Sequence, residues 1–192
     1  MKLTKVAWVQ VGHLNRETIQ PREDGTHFLL QARDVDASSL TYRIDTLIRF
    51  NPVASRADCI LKSGDVIFMA RGARNFSVIL KAIPDPVLAA ACFFIIRVVN
   101  ENVLPDYLCW YLNQPPVEHY LIQNSGRGVH MPVVRRSVLE NIDVPIPALE
   151  VQKKIMEMQT LEREEQELLN NLAKKRKELI TTTCLRAARE RE

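Results

Sequence analysis

The sequence has few of the features that mark membrane or secreted proteins. No stretch approaches the roughly 18 to 20 uninterrupted apolar residues that a bilayer span requires. The longest apolar run, 86–99, is interrupted by Arg97 and predicts a buried strand. Met1–Lys5 is not followed by an apolar segment, so we expect no secretory signal. These absences predict a cytoplasmic protein without membrane contact.

Cysteine is scarce and no catalytic motif is present. The four cysteines form no C-x-x-C pair and have no nearby histidine pair, so neither a zinc site nor a disulfide framework is indicated. The chain also lacks a P-loop, an H-E-x-x-H motif, a nucleophile elbow and a complete dinucleotide fingerprint. A nucleophilic Cys59 or Cys109 with a histidine base is the remaining enzyme hypothesis, and no spacing supports it. We therefore predict no catalysis, no metal and no cofactor.

Length, composition and charge predict a globular chain of modest basicity. The chain has 192 residues, 46% of them apolar, which suffices for one compact domain with a hydrophobic core plus one extended element. Its formal net charge is +3. A charge this small permits nucleic-acid binding through a local patch but does not itself argue for it.

The first three quarters of the chain predict mostly short strands. Apolar clusters rich in β-branched and aromatic residues alternate there with Gly, Pro, Asn and Asp, which is typical of strands and turns. Two segments have helical spacing instead: 104–113, with Pro105 at a first-turn position, and 116–123. The fold class that follows is α+β. The predicted strands are 6–11, 28–30, 65–69, 76–80 and 92–96.

The composition changes near residue 148. From there to the C-terminus the chain contains no Gly or Pro and consists largely of Glu, Lys, Arg, Leu and Gln. This composition predicts one helix of roughly 60 Å. A helix of that length cannot bury its apolar face against a small domain, so it requires a partner helix. We predict a globular domain over 1–147 and a dimerisation and spacer helix over 148–192.

Apolar residues and charges both follow an order along this helix. An acidic block, 162–167, precedes a basic block, 174–177. In a parallel pair each block would face its own copy, whereas in an antiparallel pair centred near Leu169 and Asn170 acid faces base. The order predicts an antiparallel coiled coil in a homodimer; the alternative is a solvated face satisfied by pairs within one helix. The apolar residues, here named the helix seam, are Met158, Leu161, Leu168, Leu172 and Leu179, interrupted by Glu165 and Lys175.

Four segments of the chain stand in a distinctive order. A strand bounded by Gly64-Asp65 and Arg71-Gly72 precedes a helix that contains Tyr107-Leu108, and a glycine loop, 124–128, follows. In the last segment, 141–155, alternating prolines end a short strand and start the long helix. Since proline has no N–H and a fixed φ, this segment predicts a rigid joint between a globule and a rod.

This series resembles the specificity subunits of Type I restriction-modification systems. In that family a GD-I/V-L/F…RG strand, a YL…L helix, a glycine-bearing loop and an I-PIP-LE-Q--I segment occur in the same order, and the resemblance extends from about Gly25 to Leu179. Ala148 and Val151 depart from it, since the family usually has proline and glutamate there. A full-length subunit also has two recognition domains and two conserved helices, so this chain, with one of each, resembles a half-subunit.

The resemblance implies a non-catalytic DNA reader. In that family each recognition domain contacts one half of a split DNA target, and the helices set the distance between the halves. Separate modification (methyltransferase) and restriction subunits perform the chemistry. The implied partners are therefore double-stranded DNA, those subunits and a second copy of the chain.

Candidate DNA contacts come from loops that combine arginine with glycine. Arginine forks and asparagine amides suit guanine and adenine edges, and glycine lets the backbone approach phosphates. Surface loops of this composition are also common without any ligand. The alternative for 31–36 is a strand end with a local ion pair, and for Arg135 and Arg136 a basic helix start capped by Ser137. The candidates are Arg71, Arg74, Asn75, Arg127 and His130, followed by Arg33, Arg135 and Arg136.

One rival hypothesis belongs to a different functional class. The chain could be an interaction adaptor in which the coiled coil is the functional part and the globular domain binds a protein. A basic surface around Arg71, Arg74 and Arg127 favours DNA, and a neutral or apolar one favours a protein partner.

Overall fold

The structure is a computed structural model that describes residues 1–14, 19–53, 59–124 and 133–189. It divides into a compact unit, Met1–Gln152, and a second unit from Lys153 onward. The described residues of the compact unit contain nine strands and three complete α-helices, and a fourth helix begins in it. The predicted α+β class with a long C-terminal helix is confirmed.

The strands form three sheets among the described residues. A four-stranded antiparallel sheet has the order β1-β9-β6-β7, a three-stranded sheet the order β5-β2-β8, and β3 pairs with β4. In the three-stranded sheet β2 is antiparallel to β5 and parallel to β8. The strands are β1 (Ala7–Val11), β2 (His27–Leu30), β3 (Val35–Asp36), β4 (Thr41–Tyr42), β5 (Ile48–Phe50), β6 (Val66–Met69), β7 (Ser77–Ile79), β8 (Val87–Ala89) and β9 (Phe93–Val98).

Alternate residues of these strands build the main core. Ile67 and Met69 of β6 and Phe93 and Ile95 of β9 are buried in one cluster with Leu30, Val87 and Ala89 of the three-stranded sheet. Their spacing of two residues places them on one face of each strand. The intervening Val66, Phe68, Phe94 and Ile96 are buried as well. The four-stranded sheet is therefore covered on both faces in its centre, which explains why β6 has no polar position.

The helices are α1 (Pro105–Leu112), α2 (Pro115–Asn124), α3 (Arg136–Glu140) and α4 (Leu149–Arg189). Helix α1 packs on β7. Its cap residue, Asn113, accepts a hydrogen bond from Ser77 N at 2.8 Å and donates to Ser77 O at 2.9 Å. The Asn113 amide thus pairs with the edge of β7 in the way that a peptide group of a further strand would.

A buried ion pair joins the start of β6 to β9. Arg97 Nε donates to Asp65 Oδ1 at 2.7 Å and Arg97 Nη2 to Asp65 Oδ2 at 2.6 Å, in a bidentate arrangement. Arg97 Nη2 also donates to Ile60 O, and Lys62 N donates to Asp65 Oδ2. Because the Asp65 side chain is only 2% exposed, loss of its partner would leave an uncompensated charge in the protein interior.

The segment Asp143–Pro147, here named the proline joint, is held through its carbonyl groups. Tyr111 Oη donates to Asp143 O at 3.1 Å, and Tyr107 Oη donates to Pro145 O at 2.9 Å. Val144 exchanges backbone hydrogen bonds with Met1. Burial is the main reason that the pKa of each tyrosine is raised. Both hydroxyls therefore stay protonated donors at neutral pH.

Gln152 closes the proline joint from the first turn of α4. Its side chain is fully buried, and Nε2 donates to Asn102 O at 2.7 Å and to Pro147 O at 2.8 Å. Its Oε1 accepts a hydrogen bond from Leu104 N at 2.9 Å. The amide thereby satisfies three backbone groups where the loop before α1 meets the start of α4.

The second unit is the remainder of α4. All side chains that the structure describes from Thr160 to Arg189 are exposed. Every described helix lacks either the length or the apolar character that a bilayer span needs.

Two details of the predicted secondary structure are wrong. The run 86–99 is not one strand but β8 and β9, separated by a turn at Ala90–Cys92 whose backbone hydrogen bonds to neighbouring segments interrupt the ladder. The short strand predicted before the prolines is a single bridge between Lys2 and Asp143. Proline cannot continue a ladder, and the neighbouring carbonyls are taken by side chains.

We expect Gln152→Leu to destabilise the compact unit by about 2–4 kcal/mol, because Leu104 N–H and two carbonyls would lose their partner in a buried place. Urea unfolding followed by circular dichroism measures the change. Gln123→Leu, at an exposed position of α2, is the matched control and should change the free energy of unfolding by less than about 0.5 kcal/mol. Equal effects of the two substitutions would contradict the assigned role of Gln152.

Candidate functional site

The turn Ala90–Cys92 gathers the ends of several strands. Gly12 N donates to Phe93 O, Ala90 N to Leu30 O, and Ala70 N to Cys92 O. The C-terminal ends of β1, β2, β6 and β8 therefore lie around one turn, and we name this region the turn end. A Cβ atom at Gly12 would overlap the Ala90 carbonyl oxygen, so the close approach requires glycine there.

The loop between β6 and β7 carries three of the predicted contact residues. Arg71 and Arg74 are exposed, and Arg71 N donates to Cys92 O at 3.3 Å. Asn75 is half-buried, and its Nδ2 donates to Met69 O at 2.8 Å, which closes the hairpin. That bond gives Asn75 a structural role, and it leaves the second amide N–H and Oδ1 for a bidentate contact to adenine. Its predicted role as a DNA contact stays a prediction.

Arg33 is presented by a turn that a buried carboxylate organises. Residues Ala32–Asp34 form a 3-10 helix and not the strand end that the sequence suggested. The Asp34 side chain accepts hydrogen bonds from Gln31 N and from Thr46 Oγ1, each at 2.8 Å. Arg33 Nε stands 4.0 Å from Asp34 Oδ1, so the predicted local ion pair is marginal and leaves the Arg33 side chain 63% exposed.

Arg135 and Arg136 differ in their availability to a partner. Val134 N donates to Ala70 O and Val133 bridges to Arg71, which ties this segment to the loop after β6. Arg136 Nε donates to Glu140 Oε1 at 2.7 Å along α3. Arg135 occupies the cap position of α3 and forms no ion pair with the described residues. In the alternative considered for these two arginines, a helix start capped by Ser137, the cap is wrong, because Ser137 lies inside the helix.

Arg127 and His130 lie outside the described residues, as does all of 125–132. The structure therefore does not bear on these two predicted contacts. The residues that flank this segment have defined positions: α2 ends at Asn124, and Val133 forms a β-bridge with Arg71.

Sequence reasoning passed over Arg43 and considered Asp34 only as part of 31–36, and both residues help to shape the turn end. Asp34 is fully buried and joins 31–34 to 43–46, and Arg43 Nη2 donates to Arg33 O at 3.3 Å. Arg43 is exposed, so its charge adds to that of Arg33. Nothing in the sequence indicates that the Arg43 guanidinium donates to a backbone carbonyl ten positions away, because no local spacing encodes that contact.

The turn end exposes several arginine guanidinium groups. Arg71, Arg74 and Arg135 form no ion pair with the part of the chain that the structure describes. Their planar forks can bind paired acceptors such as phosphate oxygens, carboxylates or the edge of guanine.

The two cysteines of the enzyme hypothesis are both buried, and Cys59 Sγ donates to Val11 O. A substrate would not reach such thiols without a rearrangement. The described ranges also contain no cluster of His, Cys, Asp or Glu that could hold a metal ion.

The five apolar residues of the helix seam are exposed on α4, with between 63% and 70% of each side chain accessible. Leu169, Ile180 and Leu185 are exposed on the same helix. Side chains of this kind gain free energy when they leave water, so the face is suited to a partner. The predicted antiparallel pairing stays a prediction.

Comparisons with known proteins identify relatives of this fold. A family model described as Type I restriction modification DNA specificity domain matches residues 51–178. An HsdS subunit from Thermoanaerobacter tengcongensis has a TM-score of 0.61 and 17% sequence identity over 85% of this chain. A structure from a study of complex assembly and conformational transition of the type I R-M system has a TM-score of 0.64 and 15% identity over 85% of the chain.

A third similar structure is a Type-I restriction-modification system S subunit from M. genitalium, with a TM-score of 0.54 and 12% identity over 90% of this chain. The alignments cover 36%, 37% and 40% of these three structures, so the chain matches little more than a third of each. At these identities the likeness shows a shared fold.

Labelling of Cys92 tests the geometry of the turn end. Burial raises the pKa of the Cys92 thiol, and the nearby Arg71 charge opposes that rise because it favours the thiolate. Arg71→Ala should therefore raise this pKa further and shift the alkylation profile of Cys92 to higher pH, as measured by mass spectrometry of the labelled peptide. Arg74→Ala removes the same charge from the same loop and should leave the profile unchanged. A profile that moves equally in both variants would contradict the placement of Arg71.

Proposed function

The chain belongs to the family of Type I restriction modification DNA specificity domains, as its motifs predicted, and from this premise we propose that its compact unit reads DNA sequence without performing chemistry. The observation that carries the proposal is the turn end, where Arg33, Arg71, Arg74 and Arg135 are exposed around one turn. Guanidinium groups that lack a close acidic partner are suited to phosphates and to guanine edges, and the ion pair of Arg33 with Asp34 is marginal at 4.0 Å.

We further propose that some residues of the turn end contact bases and others contact phosphates. Arg71 and Arg74 stand in a hairpin loop that is closed by Asn75, which is the kind of rigid support that base recognition requires. Arg135 and Arg136 stand at the start of a short helix, and Glu140 already offsets the charge of Arg136. This arrangement favours base contacts for the hairpin loop and phosphate contacts for Arg33, Arg135 and Arg136. We assign Arg127 and His130 to base contact as well, and this assignment rests on the sequence alone.

The proposed role is that of a specificity subunit that brings modification (methyltransferase) and restriction subunits to a bipartite DNA site. The methylation and cleavage belong to those partners, and this chain needs no cofactor for its part. We propose that the recognition domain comprises residues 1–147 and that the helix from 148 onward serves as dimerisation element and spacer. A cytoplasmic location follows from such a role.

We also propose that two copies of the chain pair through the helix seam as an antiparallel homodimer. Exposed leucines support pairing, and the order of the acidic and basic blocks supports the antiparallel direction. The competing possibility, that each block is satisfied within its own helix, fits the acidic block less well than the basic block, where Lys174 stands four positions from Glu178. No Lys or Arg stands three or four positions from Glu162, Glu164 or Glu165, which are the positions that face each other on a helix. Such a dimer would read an inverted-repeat site.

Base selection by the complex with its partner subunits tests the assignment of Arg71. If Arg71 forks onto guanine, Arg71→Ala should cost about 1–3 kcal/mol of binding free energy and relax selection at one base position. The measurement is selection from a randomised DNA pool, with affinities from titration at fixed salt. Arg127→Ala is expected to act in the same way at another position.

Lys62→Ala is the matched control, because it removes a positive charge at the opposite end of β6. It should leave both the selected sequence and the affinity nearly unchanged. A uniform loss of affinity in Arg71→Ala would make this residue a phosphate contact. Unchanged affinity and unchanged sequence in both arginine variants would refute DNA recognition by these loops and favour a protein partner for the globular domain.

Disulfide cross-linking tests the direction of the proposed pair. In an antiparallel dimer Leu161→Cys should link to Leu179→Cys when the two variants are mixed, and neither should link to itself, because the two copies of each position would stand about 27 Å apart along the axis. Both variants would carry Cys184→Ser, since Cys184 is exposed on the same helix. Efficient self-linking of each variant alone would indicate a parallel pair.

A further inference from the structure

Of the two charged residues that interrupt the helix seam, Glu165 has no residue of opposite sign within reach on its own helix, whereas Lys175 has Glu178 three positions away. Glu165 has Leu161, Glu162, Leu168 and Leu169 at the positions three and four residues away. Both Glu165 and Lys175 are exposed in the single chain. A carboxylate in the middle of an apolar stripe reduces the free energy that the stripe gains on burial, unless a partner neutralises it there. Its presence therefore requires an explanation outside its own helix.

The seam has a symmetry that an antiparallel pair would use. Leu161 and Leu179 stand nine positions on either side of residue 170, and Leu168 and Leu172 stand two positions on either side of it. Glu165 and Lys175 stand five positions on either side of the same residue. A two-fold axis at residue 170 would consequently bring leucine to leucine and glutamate to lysine in a single register.

We propose that Glu165 and Lys175 are the specificity-determining pair of α4, fixing both the direction and the register in which it binds a second copy of this chain. This inference rests on the homodimer proposed above and names the residues that select it. Each dimer contains the Glu165–Lys175 layer twice, once on each side of the axis. The leucine layers supply affinity, and the charged layers reject the alternatives.

Shifted antiparallel registers and the parallel pair are disfavoured by the charged residues and not by the leucines. A shift of seven residues in one direction would place Glu165 against Leu168, and in the other direction it would place Lys175 against Leu172. Each charge would then be desolvated by an apolar side chain. In a parallel pair Glu165 would meet its own copy, and so would Lys175. One register of the antiparallel pair is left in which both charges are neutralised.

The positions that flank the seam have mixed effects. In the proposed register Glu162 lies close to Arg176 of the other copy, which is favourable, whereas Glu164 lies close to Glu178 of the other copy, which is unfavourable. The direction of the pair therefore depends more on the Glu165–Lys175 layers than on the flanking positions. Replacing Glu164 with lysine should strengthen the pair, because it converts the one like-charged contact into an attractive one.

Charge reversal on the full chain tests the proposal. Glu165→Lys alone and Lys175→Glu alone should each weaken self-association at least tenfold, because two attractive layers become two repulsive ones. An equimolar mixture of these two variants should restore dimers, as should the double reversal in one chain. Sedimentation equilibrium gives the dissociation constants, and circular dichroism confirms that each variant keeps its helix. Glu167→Lys, which makes the same charge change off the seam, should alter the dissociation constant less than threefold.

A second variant separates specificity from affinity. Glu165→Leu with Lys175→Leu should tighten the dimer and at the same time lose its single direction, so that position 161 begins to cross-link with itself. If charge-reversal variants associate as tightly as the original chain, or if mixing restores nothing, the assigned role of this pair is refuted while the homodimer stands. A monomeric original chain would refute the homodimer and the specificity pair together.

Discussion

The constraint on which the compact unit depends is the satisfaction of carbonyl groups in the proline joint. Two prolines remove the N–H donors with which this segment could join a sheet, so its carbonyls must be satisfied from elsewhere. Tyr107, Tyr111 and Gln152 provide the donors, and two of them come from α1. The helix that sits on the four-stranded sheet thereby holds the segment that leads into α4. Three separate sequence motifs, namely the tyrosine helix, the proline pair and the glutamine, thus form one hydrogen-bonded unit.

The same requirement, that buried polar groups have hydrogen-bond partners, organises the rest of the compact unit. Asp65 is paired with Arg97 at the start of β6, and Asp34 accepts hydrogen bonds from Thr46 and from the backbone N–H of Gln31. Each buried carboxylate stabilises a turn by accepting hydrogen bonds and leaves little freedom for the chain around it. Arginines that are used inside the fold, such as Arg97, are consequently distinct from those left exposed at the turn end. That distinction allows a chain of small net charge to expose several arginines at one end of its strands.

The proposed function is divided between two surfaces, and a different kind of interaction would act at each. The turn end offers oriented donors on short loops, where specificity depends on geometry held by residues such as Asn75. The exposed face of α4 offers apolar area, where affinity follows from burial, and direction must be imposed by a few charges. The proposed reader needs both, because one recognition surface can specify only half of a two-part site. The proposed pairing supplies the second half from an identical chain.

Sequence alone determined the features that are periodic or depend on neighbouring residues. The strands β1, β2, β6, β7 and β9, the helices α1 and α2, and the length of α4 follow from local spacing, and the motif series identified the family. Only the tertiary structure decided which residues meet across long separations. It separated β8 from β9 at the turn Ala90–Cys92, engaged Asn75 with the backbone, brought Arg43 to Arg33 and gave Gln152 its three partners. Those contacts depend on the packing of segments that are distant in the chain, and no local period records them.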